Sequence, residues 1–165
     1  MAYKQKIPEA WKRIKPNVGK FPHIYNLDAP VGHNGANRRL DVMLIQYLLQ
    51  VWALNYEPGV SHLTRPKLKA LRLDPLPMNG AYDNQTLAWI FYYQLANFHD
   101  KGLYTGKVTP AASDGSSLDG RHTLMLLNLQ FAAPGNHDDL SKEFNDLSSD
   151  PLAPSELILA VKDSR

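Results

Sequence analysis

The chain has 165 residues, enough for one domain with a buried core, and its 44% hydrophobic and 21% charged residues are typical of a globular protein. It contains no cysteine, which excludes disulfide bonds, thiolate metal sites and a cysteine nucleophile. The net charge of +2 is too small to indicate a nucleic-acid-binding protein, so we expect no nucleic-acid partner. No apolar run approaches the roughly 20 residues that span a bilayer, and no secretory signal is recognisable. We therefore expect no membrane contact and a cytoplasmic location for the protein as synthesised.

Residues 1–36 are predicted to form an N-terminal arm, because prolines interrupt any regular element there (Pro8, Pro16 and Pro22). Residues 1–20 contain six basic residues against one acidic residue, whereas residues 138–165 contain seven acidic residues against three basic ones. This asymmetry would let one end dock on the other or on a neighbouring copy, although two solvated surfaces are the simpler interpretation. The arm residues that we expect to contact a partner are Lys12, Arg13 and Lys15.

The first long helix is predicted from Asp41 to about Asn55, ahead of the Pro58-Gly59 pair. Its apolar stripe contains Val42, Ile45, Leu49 and Trp52. Residues 56–77 contain four prolines and are predicted to be an insertion between this helix and the next one.

The second helix is predicted to follow a glycine turn at Asn79-Gly80, with Asp83 as its N-cap. Its buried face is expected to follow the helical period: Leu87, Ile90, Phe91, Gln94, Leu95 and Phe98. Other aromatic residues would then lie off the core and form a platform for a sugar or a protein, or else cover the core beneath the insertion. With the tyrosine of the preceding turn, the candidate ligand-binding residues are Tyr82, Trp89, Tyr92 and Tyr93.

A third helix is predicted from Asp119 through Phe131 and, being apolar on nearly every side, is expected to be central. Residues 134–165 are predicted to contain a short helix over Asp138–Leu147 and an apolar tail, Leu157–Val161. We interpret the tail as a strand paired with the Ile24–Leu27 region, with a last helical turn as the alternative.

Three polar side chains fall on or beside apolar helix faces. Gln46 and Gln94 are predicted to bond to loop backbone, because a buried amide must find partners. Thr86 is predicted to be a first-turn capping partner of Asp83.

Searches for catalytic chemistry find no established pattern. The six histidines include no pair at the i, i+4 spacing of a helical metal site, and the HExxH, GxSxG, SxxK and phosphate-loop motifs do not occur. No acidic residue occupies an apolar setting that would raise its pKa for acid–base work. We therefore expect no enzyme, no catalytic residue, no metal and no cofactor.

Two stretches resemble peptidoglycan-binding-domain-like modules. Asn37–Leu49, NRRLDVMLIQYLL, is similar to the first helix of that family, in which an Asp is followed by Val, Gln and a Leu pair. Met78–Gln94 resembles the second signature, in which a Gly, an aromatic residue, a turn and a Thr precede a helix that ends in an aromatic residue and Gln. Gly106–Pro110 is similar to the segment that leads into the third helix of the family.

The resemblance covers about residues 31–132 and implies a mainly α fold. Its three-helix core would occupy residues 37–133, interrupted by the insertion and flanked by the arm and by residues 134–165 as a C-terminal helix and tail. Family members are usually non-catalytic modules attached to cell-wall hydrolases. Our first expectation is a structural component that contacts protein subunits of a larger assembly, such as a phage tail or contractile injection particle, with peptidoglycan as a further ligand. The alternative is a peptidoglycan-recognition module that targets a separate wall hydrolase.

Overall fold

The computed structural model describes residues 1–7, 9–14, 21–56, 75–98, 104–112, 123–132 and 145–162. Its elements, in chain order, are β1 (Tyr3–Gln5), α1 (Glu9–Ile14), β2 (Ile24–Asn26), β3 (Val31–Gly32), α2 (Arg39–Tyr56), α3 (Asn84–Phe98), β4 (Lys107–Val108), α4 (Thr123–Ala132), a 3₁₀ helix (Leu147–Ser149) and α5 (Ser155–Lys162). β1 pairs with β2 and β3 pairs with β4, and both pairs are antiparallel. The described chain is mainly helical, as predicted.

Helix α2 lies at the centre of the fold. Every residue from Asp41 to Leu49 is buried, because α2 is in contact with α3, α4 and α5. The predicted apolar stripe is buried, and the helix ends within one residue of the position that the sequence indicated. The predicted insertion begins where α2 ends, and most of it lies outside the described residues.

Helices α3 and α4 complete the core with α2. The carboxylate of Asp83 accepts a hydrogen bond from the Thr86 backbone N–H at 2.7 Å, which confirms the predicted N-cap. Nine of the ten residues of α4 are buried, as expected for a central helix. Aromatic rings join these helices edge to face: Trp52 meets Tyr93 at 5.0 Å between centroids.

Residues in and beside strands β1 and β2 contribute to the core, so the interpretation of segment 1–36 as a separate arm is wrong for these strands. Ala2, Ile7 and Tyr25 are buried against the same cluster as the three long helices. β1 and β2 are adjacent strands of one sheet, with Lys4 opposite Tyr25. The proline-interrupted sequence does not show this pairing, because each strand has only three residues.

The predicted strand at Leu157–Val161 is also wrong, because this run lies in α5. Leu157, Ala160 and Val161 recur at helical spacing and are buried, and α5 contacts β1 and α2. The proposed pairing edge is already occupied: β1 pairs with one side of β2, and Asn128 bonds to the Tyr25 backbone N–H at 2.7 Å and carbonyl at 2.9 Å. Of the helix predicted over 138–147, all but the last three residues lie outside the described parts, and Leu147 begins the 3₁₀ helix.

Candidate functional site

A buried glutamine on α2 fixes the turn that precedes α3. The Gln46 side chain accepts a hydrogen bond from the Gly80 N–H at 2.8 Å and donates to the Ala81 carbonyl at 2.9 Å. It also donates to the Thr86 hydroxyl at 3.0 Å, and that hydroxyl donates to Asp83 at 2.8 Å. The predicted loop-bonding role of Gln46 and the capping role of Thr86 are therefore confirmed.

A second glutamine repeats this arrangement one helix later. Gln94 of α3 accepts from the N–H groups of Thr105 at 3.0 Å and Gly106 at 2.9 Å. It donates to the Lys107 carbonyl at 2.8 Å and to the Thr123 hydroxyl, in the first turn of α4, at 3.3 Å. This confirms the predicted backbone contact of Gln94.

The two devices share one plan. In each, a fully buried amide joins its own helix to a turn glycine of positive φ and to a threonine at the start of the next helix. Gly80 has φ +74 and Gly106 has φ +65, values that residues with a Cβ rarely adopt. Both turns are thus held in one conformation by hydrogen bonds made from inside the core.

Two exposed aromatic side chains adjoin the second turn, Phe91 of α3 and Tyr104 just before the turn, and we name this pair the turn platform. The Phe91 ring lies directly against Gly106: a Cβ at that glycine would come within 2.6 Å of the ring, and within 2.8 Å of Leu87. Phe91 is nevertheless 39% exposed, and Tyr104, two residues before Gly106, is 42% exposed. Exposed aromatic rings beside a hydrogen-bonded turn suit contact with a sugar ring or a protein surface.

The platform predicted from the sequence is a different set of residues, and the structure corrects it. Trp89, Tyr92 and Tyr93 are 6%, 5% and 0% exposed and form part of the aromatic core. Tyr82 is half-buried. The first three side chains are therefore not available as an exposed surface for a ligand.

The error is a rotation of the buried face of α3. The residues that are buried there include Thr86, Trp89, Ile90, Tyr93 and Gln94. Each of these five residues directly precedes a member of the predicted buried set. One residue corresponds to about 100° around a helix, so Phe91 moves from the core to the surface. The polar residues carried a signal that would have identified the buried face. Thr86 and Gln94 are eight positions apart and therefore lie on the same side of the helix, and their polar groups find hydrogen-bond partners inside the protein.

A polar cluster around Asp146 holds the C-terminal segment on the sheet. The Asp146 carboxylate accepts from the Tyr25 hydroxyl at 3.0 Å, from Lys4 Nζ at 3.2 Å and from the Ser148 hydroxyl at 2.6 Å. The Leu147 N–H donates to the Tyr25 oxygen at 2.9 Å, and His23 Nε2 lies 3.9 Å from the carboxylate. The Lys4–Asp146 pair docks the basic end of the chain on the acidic end.

The electrostatics of this cluster fix the protonation states of its members. Burial raises the pKa of Asp146, but hydrogen bonds from Ser148, Tyr25 and Lys4 outweigh it, so that its pKa lies below the usual range. Burial raises the pKa of Tyr25 well above its ordinary value. Burial and the charge of Lys4 lower the pKa of His23, against the opposing charge of Asp146. At neutral pH the aspartate is therefore an anion and the tyrosine a hydrogen-bond donor.

Comparison of the chain with protein-family models, with curated proteins and with solved structures gave no match. Among the described residues, no group of three or more His, Asp or Glu side chains is placed to hold a metal ion. No helix of the described chain is long and apolar enough to cross a membrane.

The predicted partner-binding residues lie on and after α1. Lys12 is half-buried and forms an ion pair with Glu9, and Arg13 is exposed. Lys15 lies outside the described residues.

Proposed function

We propose that this chain is a non-enzymatic binding protein on a peptidoglycan-binding-like three-helix core, and that it acts as a structural component contacting protein subunits of a larger assembly. The observation that carries the proposal is the turn platform. Phe91 of α3 lies against Gly106, and Tyr104 lies two residues before that glycine, so both exposed rings adjoin a turn that Gln94 holds by hydrogen bonds. Little conformational entropy is therefore lost when a partner covers them.

The assignment of a peptidoglycan-binding-like core is supported by the two glutamine devices. Gln46, Gly80 and Thr86 fall in the stretches that resemble the family, and their hydrogen bonds join α2 to α3. Gln94 and Gly106 join α3 to the segment before α4 in the same way. Helices α2, α3 and α4 would be the three helices of the module.

The non-enzymatic part of this proposal is supported by the Asp146 cluster. A carboxylate with a lowered pKa is a poor general base at neutral pH, and a tyrosine with a raised pKa is a poor nucleophile. The hydrogen bonds of Asp146 and Tyr25 instead join β1, β2 and the 3₁₀ helix. The chemistry of these groups is that of a structural contact. Asp41 departs from the prediction that no acidic residue lies in an apolar setting, because burial raises its pKa, but its carboxylate accepts hydrogen bonds from the Asp28 and Ala29 N–H groups.

Peptidoglycan is the second candidate ligand, and the same platform favours it. Aromatic rings stack on the apolar faces of sugars, and Phe91 and Tyr104 are large exposed aromatic side chains of the described chain. In that case the chain would be a recognition module that targets a separate wall hydrolase.

The experiment compares a Phe91→Ala, Tyr104→Ala double variant with a matched control, Leu152→Ala, Leu159→Ala, which removes exposed apolar surface elsewhere. Immobilised proteins are incubated with extract of the source cells, and retained subunits are quantified by mass spectrometry. Parallel samples are sedimented with insoluble peptidoglycan. Circular dichroism verifies that every variant is folded.

Subunits retained by the wild type and the control, but lost by the platform variant, would support an assembly protein. Pelleting with peptidoglycan that only the platform variant loses would favour the recognition module instead. If the platform and control variants behave alike in both assays, the platform is not the contact surface and the proposal fails.

A further inference from the structure

A second surface, which we name the basic face of α1, consists of three cations and one carboxylate. Glu9, Lys12 and Arg13 belong to α1, and Lys6 precedes the helix. Glu9, Lys12 and Arg13 are spaced i, i+3 and i+4 and therefore share one side of the helix. Lys12 lowers the pKa of Glu9 most, through a hydrogen bond and its charge, and the nearby charges of Lys6 and Arg13 lower it further. Lys6 lies three residues before Glu9 in the chain, so this short stretch carries three cations against one carboxylate.

The residues that precede α1 are anchored to the core. Lys6 follows β1, which pairs with β2, and Ile7 is buried between Lys6 and α1. The side chains of Lys6 and Arg13 are exposed. A partner would therefore meet Lys6 on backbone that the pairing of β1 with β2 positions.

The charges of the described surface are unevenly compensated. Each carboxylate in the described ranges is engaged by a cation, a hydroxyl or a backbone N–H of its own chain: Glu9, Asp28, Asp41, Asp83, Asp146, Asp150 and Glu156. By contrast, four described cations have none of the described carboxylates within 4.0 Å: Lys6, Arg13, Lys107 and Lys162. Two of these four belong to the basic face.

We propose that the basic face of α1 docks an acidic polypeptide segment of a separate partner protein. The proposal rests on the proposed function, since it gives an assembly protein the chemistry of one of its partners. A second copy of this chain is the alternative occupant: the seven described carboxylates are already engaged within the chain, and the other nine acidic residues lie outside the described parts. A nucleic acid fits less well, because three cations with one carboxylate among them offer little charge to a polyphosphate chain.

The chemistry of recognition follows from the two exposed cations. Arg13 presents a planar guanidinium that pairs with a carboxylate through two parallel hydrogen bonds, and Lys6 adds a point charge. Exposed ion pairs are individually weak and screened by salt, so docking requires several acidic residues in sequence and weakens as ionic strength rises.

The test uses a fluorescein-labelled synthetic peptide of glutamates and glycines as the probe. Its binding to the full chain is followed by fluorescence anisotropy at low and at high sodium chloride. The Lys6→Gln, Arg13→Gln variant is compared with Lys107→Gln, Lys162→Gln, which removes the same charge from other described cations. We expect the first variant to weaken binding by about tenfold at low salt and the control by about twofold or less.

Three outcomes would overturn the proposal. Equal weakening in both variants would mean that only overall charge matters. Tighter binding of a single-stranded oligonucleotide of the same charge would assign the face to nucleic acid. Salt-sensitive self-association in sedimentation velocity, lost in Lys6→Gln, Arg13→Gln, would identify a second copy as the occupant.

The peptide-binding test of the basic face can be interpreted separately from the subunit-retention test of the turn platform, because the Phe91→Ala, Tyr104→Ala variant leaves the basic face intact. If that variant retains its protein subunits while the peptide still distinguishes the charge variants, the platform assignment fails and the basic face stands. If the peptide does not distinguish them while the platform variant loses its subunits, the basic face fails alone.

Discussion

Replacing Gln94 by leucine removes the anchor of the turn platform without leaving a large cavity. Leucine has nearly the volume of glutamine but makes no hydrogen bonds, so the Gly106 N–H is left buried without its acceptor. An unsatisfied buried donor costs about 1–3 kcal/mol, and the two half-buried groups, the Thr105 N–H and the Lys107 carbonyl, add about 0.5–1 kcal/mol each. We expect Gln94→Leu to lower the free energy of unfolding by about 2–5 kcal/mol.

The loss is measurable by equilibrium urea unfolding. Trp52 and Trp89 are buried and report unfolding through their fluorescence. With a urea slope of about 2 kcal/mol per molar for a small domain, the midpoint should fall by about 1–2.5 M. The amide protons of Thr105 and Gly106 should also exchange faster with solvent, because their acceptor is gone.

The matched control is Gln50→Leu on α2. Gln50 is half-buried and accepts one longer hydrogen bond, from the Leu76 N–H at 3.3 Å, so its replacement should cost about 1 kcal/mol or less. If Gln94→Leu shifts the midpoint no more than this control does, the buried amide does not anchor the turn. Unchanged exchange at Gly106 would contradict the same reasoning independently.

Three further predictions concern the first turn and the Asp146 cluster. Gly80→Ala should cost about 2 kcal/mol or more in urea unfolding, because φ is +74 and a Cβ would lie 2.5 Å from the Arg39 carbonyl oxygen; a neutral result would mean that the turn relaxes freely. Asp146→Asn should reduce the loss of stability that occurs below about pH 4. The lowered pKa of Asp146 means that the carboxylate stabilises the folded protein above that pH and loses this effect as pH falls. An unchanged dependence of stability on acid pH would refute this. The pKa of His23, which burial and Lys4 lower, should be below about 6.5 by NMR titration. The unfolded chain then binds a proton more readily than the folded protein, so stability falls as pH drops below about 6.5. A higher pKa would show that the charge of Asp146 dominates.

Local devices were readable from the sequence, because they depend on neighbouring residues. Asp83 caps α3, and Gly80 adopts the positive φ that its turn requires. Gln46 and Gln94 bond to loop backbone as predicted, because an amide on an apolar face must find a partner wherever the chain goes.

The candidate site was predicted less well, because α3 carries aromatic residues of similar hydrophobicity on both its buried and its exposed sides. Helix α3 is rich in Trp, Tyr and Phe on all sides, so periodicity alone did not select which aromatic residues face inward. Contact of Phe91 with Gly106, and burial of Tyr93 against Trp52, fixed the rotation of the helix. Both contacts join residues from separate elements.

The sequence alone determined the mainly helical class, the start of α3 and the buried amides, since capping, turn conformation and helical period act over a few residues. Only the tertiary structure decided that β1 pairs with β2 across about 20 residues, that Leu157–Val161 is helical, and that Phe91 and Tyr104 face solvent. A three-residue strand or a five-residue apolar run is compatible with several local structures. The parts of the fold that pack against such a short segment then determine which of these local structures it adopts.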